Sequence, residues 1–574
     1  MPVDAKKKIA EQLELELGLD RGLLCSLLER PSSRDFGDFA MPCFEFARKT
    51  GKDPKQIASG YAARVKPGGL LAKAEQRGPY LNIFIDRSSF IKEVVTQLVE
   101  IGFDHLQGVG RGKTVVIDYS SPNIAKPFGI GHLRSTVIGN ALSRIFQFLG
   151  YRTIGINHIG DWGTQFGKLI TAYRRWGDDD DLVHDPIRYL YDLYVRFHSE
   201  AESDPSLEDE AREWFSRLEG GHPEARELWE RFRELSIEEF KRIYERLGVR
   251  FDHYTGESFY GGLLDETVEV VKRSGITELS EGALVVPLEG MPPALIRKKD
   301  GATLYLTRDI AAILYRKKHY DFDLALYVVG SPQTLHFRQL FMVLERMGQR
   351  WVADCHHIPF GQIRFEHGAM STRKGNIVFL EEVMDRAVSL ALEIIAEKNP
   401  DLENREIVAE AVGVGSIIFN DLKNSRIKDI TFDWEEILNF NGETGVYLQY
   451  TYARIGSLLR KFEQRYGKQA FTYGSTGNEL KFSELQFGEE SYEVVSLLND
   501  FERCVLRARE EFEPSIISRH LLEVAKSFNT FYNSYRVITD EEQVSLTRGL
   551  VVFCCQMVLR QGLELLGIKA VEEM

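Results

Sequence analysis

The sequence predicts an α/β fold in which a doubly wound, Rossmann-like parallel sheet lies between a smaller α/β domain and an all-α bundle. Residues 114–119 are typical of a buried strand, and a Pro/Gly loop, a helical run over 132–149 and a second strand at 152–156 follow. Beyond about residue 390 apolar residues recur at helical spacing. Near the start of the chain a helical pattern precedes an extended segment over 78–85.

Later segments complete this domain plan. A charged, helical stretch over 177–248 interrupts the α/β pattern, and strand-like segments at 283–287, 304–306 and 324–329 resume it. A chain of 574 residues suggests three to four domains. The predicted domains span 1–110 (α/β), 111–390 (Rossmann-like, with a helical insertion at about 172–250), 391–445 (helical connector) and 446–574 (helical bundle).

Composition narrows the class of function. The net charge of −14 argues against a protein that coats DNA, although a local basic surface for RNA remains compatible with it. No apolar run approaches the length that spans a bilayer, and the acidic N-terminal helix is unlike a targeting segment, so we expect a cytoplasmic protein. The six cysteines form no C-x-x-C pair and the histidines no ligand cluster, so no metal site is predicted.

The loop before the first long helix of the Rossmann-like domain has phosphate-binding character. Gly129 and Gly131 precede His132, at which the helix is predicted to begin. Backbone N–H groups at a helix N-terminus attract phosphate, and ligands of doubly wound sheets bind at the carboxyl ends of the strands. Taken alone, this pattern would favour a structural helix cap.

Longer motifs identify the family that the chain resembles. Ser120-Ser121-Pro122-Asn123-Ile124-Ala125-Lys126-Pro127-Phe128, Gly131-His132-Leu133-Arg134 and Asn157-His158-Ile159-Gly160-Asp161-Trp162-Gly163 are similar to the signatures of class I arginyl-tRNA synthetases. The resemblance implies ATP-dependent ligation of L-arginine to tRNA(Arg) through an arginyl-adenylate, with Mg²⁺ accompanying ATP. It also implies a tRNA-contacting N-terminal domain and a monomer.

One signature position departs from the family. The first histidine of the family's H-x-G-H tetrapeptide is replaced here by Gly129. Loss of one transition-state donor costs a factor on the order of 10² in rate unless another group replaces it. Two alternatives follow: a neighbouring donor, with Lys126 the nearest candidate, compensates for Gly129, or the chain is an impaired paralogue that still binds arginine or tRNA.

The resemblance also implies which residues act in catalysis, including those of a second signature loop, and which residues bind ATP. Residues 369–376, Ala-Met-Ser-Thr-Arg-Lys-Gly-Asn, are similar to the family's second signature loop. Catalytic roles then fall on His132, Lys126, Arg373 and Lys374. ATP-binding roles fall on Gly129, Gly131, His132, His158, Gly160, Asp161, Met370 and Ser371.

Arginine and tRNA recognition are assigned in the same way. A guanidinium group is best held by a planar carboxylate, which favours arginine over lysine as the substrate. By resemblance, the arginine-binding residues are Asp118, Asn123, Tyr305, Asp309 and Gln333. The tRNA-binding residues are Asn82, Tyr447, Gln449, Tyr450 and Arg454. Tyrosines at helical spacing also suit the core between packed helices, so packing is the alternative role for Tyr447 and Tyr450.

Overall fold

The computed structural model describes residues 2–124, 126–364, 378–437, 439, 442–467 and 485–574. The chain divides into two compact units. One contains residues 1–105, 451–506 and 520–560, and the other contains residues 106–450, 507–519 and 561–574. The second signature residues Met370, Ser371, Arg373 and Lys374 lie outside the described residues.

The N-terminal part of the first unit is a small α/β arrangement. Its elements are α1 (Ala5–Leu17), α2 (Arg21–Leu27), β1 (Phe39–Pro42), α3 (Phe44–Thr50), α4 (Pro54–Arg64), β2 (Leu71–Arg77), β3 (Tyr80–Ile85) and α5 (Arg87–Ile101). The strands form an antiparallel sheet in the order β1-β3-β2. The Asp86 carboxylate caps α5 by accepting from the backbone N–H of Ser89. The extended segment predicted over 78–85 is therefore confirmed as β3.

The second unit begins with the predicted strand, loop, helix and strand, followed by the helical stretch. Its first elements are β4 (Thr114–Asp118), α6 (Leu133–Phe148), β5 (Arg152–Asn157), α7 (Thr164–Trp176), α8 (Asp179–His184), α9 (Pro186–Ser203), α10 (Ser206–Glu219), α11 (Pro223–Arg246) and β6 (His253–Tyr254). Apolar side chains of these helices, such as Phe197 and Phe232, are fully buried. The helical character predicted for residues 177–248 is therefore confirmed.

The second unit continues through two further strand groups and several helices. The elements are α12 (Leu264–Arg273), β7 (Glu278–Ser280), β8 (Ala283–Val286), β9 (Ala294–Arg297), α13 (Tyr305–Tyr320), β10 (Leu324–Gly330), α14 (Thr334–Arg346), β11 (Cys355–Phe360), β12 (Ile363–Arg364), α15 (Leu380–Lys398), α16 (Arg405–Leu422), β13 (Ile430–Thr431) and α17 (Trp434–Ile437). The main sheet is parallel, in the order β11-β10-β4-β5-β6. The doubly wound parallel sheet is confirmed.

Two strand predictions need correction. Residues 304–306 are not a strand, because α13 begins at Tyr305; Leu306, Ile310 and Ile313 then bury one helical face, a period that three residues cannot reveal. Residues 283–286 do form a strand, but β8 pairs antiparallel with β7 and β9 in a separate sheet. An apolar run of this length predicts a buried strand without saying which sheet it joins.

Helices complete the C-terminal part, as predicted. They are α18 (Gly445–Tyr466), α19 (Tyr492–Glu510), α20 (Ser515–Ser534) and α21 (Glu542–Leu565). Inside the first unit the N-terminal segment packs against α19, where the Asn499 side chain accepts from the Val3 N–H at 2.7 Å and donates to the Val3 carbonyl at 3.1 Å. Within the described residues, no helix has the length and apolarity of a membrane span.

Candidate active site

The carboxyl edge of the parallel sheet brings the predicted site segments together. Asp118, at the end of β4, lies opposite Ile156 of β5 on one side and Tyr327 of β10 on the other. The loops that leave these neighbouring strands must therefore start side by side. This is the position at which doubly wound sheets bind ligands.

The loop after β4 is held in an uncommon backbone conformation. Ser120 and Ser121 have φ values of 71° and 49°, in the left-handed region that non-glycine residues rarely adopt. The backbone N–H of Ser120 donates to the Ser135 hydroxyl at 2.9 Å, and its own hydroxyl lies 2.8 Å from the Tyr244 hydroxyl. Tyr244 also accepts from the Asn157 amide at 2.9 Å. The first helix of the Rossmann-like domain, the helical insertion and β5 thus fix the loop together.

Asp118 is buried and already carries a cationic partner. Its Oδ2 lies 2.8 Å from Nη1 of Arg316, which is 1% exposed, and Oδ1 accepts from the Ser121 hydroxyl at 3.0 Å. Burial by itself would lower the pKa of Arg316, but the Asp118 carboxylate and neighbouring tyrosines hold it well above its ordinary value. The sequence interpretation missed Arg316, although its position seven residues after Asp309 places both on one face of α13.

His132 is a neutral imidazole at the start of α6. It ends the short 3₁₀ turn Ile130–His132, and its backbone N–H donates to the Gly129 carbonyl at 2.9 Å. Burial, with a smaller contribution from nearby Lys126, lowers the pKa of His132 to about 4, although a backbone hydrogen bond with Gly129 opposes the shift. Within the described residues its Nδ1 is buried without a hydrogen-bond partner. At neutral pH this side chain therefore offers a hydrogen bond rather than a charge.

The first signature loop also forms backbone hydrogen bonds with residues 378–380. Ile130 donates to the Val378 carbonyl at 3.1 Å, and Leu380 donates to the Phe128 carbonyl at 2.9 Å. Lys126 lies on the same loop, with Nζ 5.8 Å from the centre of the Tyr194 ring. The loop that carries Gly129 is thus fixed by α15 on one side and faces helix α9 of the insertion on the other.

The loop after β5 meets the loop after β4 along its backbone. Ile124 donates to the Gly160 carbonyl at 3.1 Å, and Gly160 donates to the Pro122 carbonyl at 3.0 Å. A Cβ atom at Gly160 would lie 2.2 Å from Oδ1 of Asn123, so a larger residue there would force the Asn123 side chain to move. This close approach positions the predicted arginine-binding amide of Asn123.

His158 and Asp161 point their side chains toward partners within the protein. Nδ1 of His158 lies 3.1 Å from the Thr255 carbonyl and 3.4 Å from Nη2 of Arg316. The fully buried Asp161 carboxylate accepts from Nε of Arg233 at 3.0 Å and from the Ser258 N–H and hydroxyl at 2.8 and 2.7 Å. Asp161 therefore holds the shape of this loop.

The remaining residues that are predicted to bind the substrate arginine lie at the starts of α13 and α14. Tyr305, the first residue of α13, is 66% exposed, and Asp309 follows one turn later. Oδ2 of Asp309 lies 2.5 Å from Nε2 of His336, which is on the first turn of α14. Gln333 is the exposed residue immediately before α14.

A carboxyl group that the sequence interpretation missed lies beside Asp309. Burial raises the pKa of Glu257 to about 7; Arg308 counteracts this shift, whereas Asp309 and Asp161 add to it. Two carboxyl groups that oppose each other's ionisation suit a cationic ligand. The available signal was position, since Glu257 follows β6 directly at the carboxyl edge of the sheet.

The residues predicted to bind tRNA divide into buried and half-buried side chains. Asn82 is 2% exposed and donates to the Phe36 carbonyl at 2.6 Å, and buried Gln449 donates to the carbonyls of Ala411 and Lys569 at 3.0 and 2.9 Å. This burial argues against direct RNA contact by Asn82 or Gln449, and we assign both a packing role. The half-buried residues are Tyr447, Tyr450 and Arg454.

Arg454 has neighbours suited to a nucleic-acid surface. Its guanidinium lies 5.6 Å from the centre of the Tyr532 ring, and Nη1 donates to Oδ1 of Asn529 at 3.3 Å. Tyr447, Tyr450 and Arg454 are spaced by three and four residues along α18, so they share one helical face. Arginine with aromatic rings is a combination that reads single-stranded RNA.

Comparisons with known proteins cover the chain from end to end. Family models match residues 4–85 (arginyl tRNA synthetase N terminal domain), 95–434 (tRNA synthetases class I (R), catalytic domain) and 448–574 (DALR anticodon binding domain). Curated relatives named arginine–tRNA ligase from Halothermothrix orenii and Clostridium acetobutylicum are each 46% identical over 576 residues and cover 100% of both chains. A solved structure of Thermus thermophilus arginyl-tRNA synthetase is 25% identical, with a TM-score of 0.79 and 100% of both chains covered.

Proposed function

The chain belongs to the arginyl-tRNA synthetase family, and from this we propose that it ligates L-arginine to its cognate tRNA at the expense of ATP. A carboxylate oxygen of arginine bonds to the α-phosphorus of ATP while the bond to diphosphate breaks. A ribose hydroxyl at the tRNA terminus then attacks the carbonyl carbon of the adenylate, and AMP leaves. The end-to-end identity with curated arginine–tRNA ligases carries this proposal.

We propose that arginine lies along the carboxyl edge of the sheet. The guanidinium fork meets the carboxylate of Asp309, with Glu257 beside it and the hydroxyl of Tyr305 at the rim. At the other end of the substrate, the α-ammonium group meets Asp118 and Asn123, and Gln333 contacts the amino-acid moiety. Arg316 already pairs with one oxygen of Asp118, so the α-ammonium group of the substrate and Arg316 contact the same carboxylate.

We propose that ATP, with Mg²⁺ as part of the substrate complex, binds between the two signature segments and the loop after β5. The glycines at 129 and 131 let the phosphates approach the backbone of this turn, and the neutral His132 donates a hydrogen bond to the reacting phosphate. His158, Gly160 and Asp161 shape the nucleoside side through their loop. Met370 and Ser371 border the nucleotide, and Lys126, Arg373 and Lys374 supply cations for the leaving diphosphate.

The experiment that tests this function is aminoacylation of total tRNA with labelled arginine, ATP and Mg²⁺. Charging by the unaltered chain supports the proposal. Absence of charging, together with no binding of arginine, would contradict it. Chromatographic mass measurement on the same sample tests the expected monomer.

Gly129 favours a second candidate, an impaired paralogue that binds arginine or tRNA without efficient catalysis. Gly129→His, assayed in parallel, separates the two. A gain on the order of 10²-fold in the charging rate would identify the glycine as a lesion. An unchanged rate would mean that Lys126 or another donor already compensates.

We also propose that the helical C-terminal part reads the anticodon. Tyr447, Tyr450 and Arg454 form one face of α18 and are the residues that we expect to contact unpaired bases or their phosphates. Footprinting of the anticodon loop in the presence of the protein checks this, since protection should weaken when the face is altered.

A further inference from the structure

His336 contacts the residue proposed to recognise the guanidinium group, yet no signature motif assigns it a role. Its Nε2 lies 2.5 Å from Oδ2 of Asp309, and about a quarter of each side chain is exposed, at 25% and 28%. It lies three residues after Gln333, the residue that precedes α14, so the two lie about one turn apart on the same side of the helix start.

The backbone that carries His336 is rigidly placed. The next residue, Phe337, is buried and stacks on the His357 ring, with ring centres 4.5 Å apart and planes 12° apart. His357 in turn lies 2.9 Å from the Val329 carbonyl through its Nε2. The start of α14, which carries His336, is therefore packed against strand β11 of the main sheet.

A carboxylate recognises a guanidinium group well only when both oxygens lie in the plane of the fork. The carboxyl group of a partly exposed aspartate on a helix rotates freely unless a neighbour restrains it. The contact from His336 occupies one lone pair of Oδ2 and leaves Oδ1 and the second lone pair of Oδ2 for the substrate.

We propose that His336 is a positioning residue that orients the Asp309 carboxylate for bidentate binding of the substrate guanidinium. This inference rests on the proposed function. It predicts that the imidazole contributes to recognition of the planar fork and not to recognition of a single ammonium charge. It also predicts that ATP binding and the chemical step are independent of His336.

The test compares His336→Ala with His336→Gln, whose amide nitrogen can occupy the position of Nε2. In tRNA charging, His336→Ala should raise the KM for arginine about tenfold, with kcat and the KM for ATP unchanged. His336→Gln should recover most of that loss. Gln339→Ala is the matched control on the same helix, because Gln339 donates to the Pro292 carbonyl at 2.9 Å and has no place in the proposed site.

Two inhibitors make the readout specific. Agmatine carries a guanidinium group without a carboxylate, and cadaverine carries a single ammonium group at each end. His336→Ala should weaken inhibition by agmatine about tenfold and leave inhibition by cadaverine unchanged. Equal effects on both inhibitors, an unchanged KM for arginine, or a fall in kcat alone would overturn the proposal.

Direct calorimetric titration with arginine separates this proposal from the proposed function. If the unaltered chain binds arginine but charges no tRNA, the ligase function fails while weaker binding by His336→Ala still supports the role of His336. Equal binding by both proteins overturns that role. If the unaltered chain binds no arginine, both proposals are overturned.

Discussion

Site residues at the carboxyl edge of the parallel sheet and those on α18 differ in how the fold uses them. At the sheet edge, Asp118 and Asp309 each have a cationic or imidazole partner and lie where strand and helix ends meet. On α18, Gln449 turns inward to backbone carbonyls, whereas Arg454 of the same helix is half-buried beside an aromatic ring.

The difference follows from what each architecture determines. In a parallel sheet the carboxyl ends of all strands lie on one edge, so a polar residue that follows a strand is directed to the site by topology alone. On a helix, spacing determines which residues share a face, but the neighbouring helices determine which face is buried. Motif positions are therefore a firmer guide at the sheet edge than on α18.

The largest expected effect comes from breaking the buried pair at the sheet edge. Arg316→Met leaves the Asp118 carboxylate buried without its partner, so the free energy of unfolding should fall by about 3–5 kcal/mol. Urea unfolding followed by circular dichroism measures this. Lys318→Met, an exposed position on the same helix, is the control and should change stability little. Equal, small effects of both substitutions would remove the proposed contrast between the two regions.

The second-largest expected effect is a dependence of the KM for arginine on the ionisation of Glu257. The ionised carboxylate attracts the guanidinium group, so as pH falls through about 7 its protonation should raise the KM for arginine, with a plateau above that pH. Between pH 8 and pH 6 the KM should rise about tenfold, because the fraction of protein in which Glu257 is ionised falls about tenfold over that interval. Glu257→Gln should have a high KM at every pH, because it lacks the charge throughout.

Glu266→Gln supplies the matched control for this pH profile. Glu266 is exposed on α12 and has no place in the proposed pocket, so its substitution should preserve the dependence seen in the unaltered chain. A pH profile that survives in Glu257→Gln would mean that another group near Asp309 titrates.

Individual residues show which parts of the fold and of the candidate site could be predicted from the sequence. The strand, loop and helix that carry Asp118, Asn123 and His132 predicted the parallel sheet, because the alternation of strand and helix is a local pattern. Arg316 and Glu257 were missed because the ion pair of Arg316 with Asp118, and the electrostatic interaction of Glu257 with Asp309, arise between elements distant along the chain. The inward orientation of Gln449 depends on Ala411 and Lys569, and no spacing within α18 encodes it.

Gln449→Ala examines the buried side of α18. Removal of the amide leaves the Ala411 and Lys569 carbonyls without this donor, so stability should fall by about 1–2 kcal/mol. The KM for tRNA should stay unchanged, because a buried amide makes no contact with RNA. Thermal unfolding and charging kinetics on the same preparation measure both quantities. A raised KM for tRNA with full stability would instead restore Gln449 as an RNA-binding residue.

Arg454→Ala examines the other side of the same helix and has the smallest expected effect. If Arg454 contacts one phosphate of tRNA, its loss should raise the KM for tRNA about three- to tenfold and reduce by about one the slope of log KM against log salt concentration. The KM for arginine should not change, because Arg454 lies beside Asn529 and Tyr532 and has no place in the proposed pocket. Gln449→Ala is the matched comparison on the same helix. A change in salt slope for Arg454→Ala alone would assign RNA binding to the half-buried face, whereas no change for either variant would mean that α18 serves only to pack the bundle.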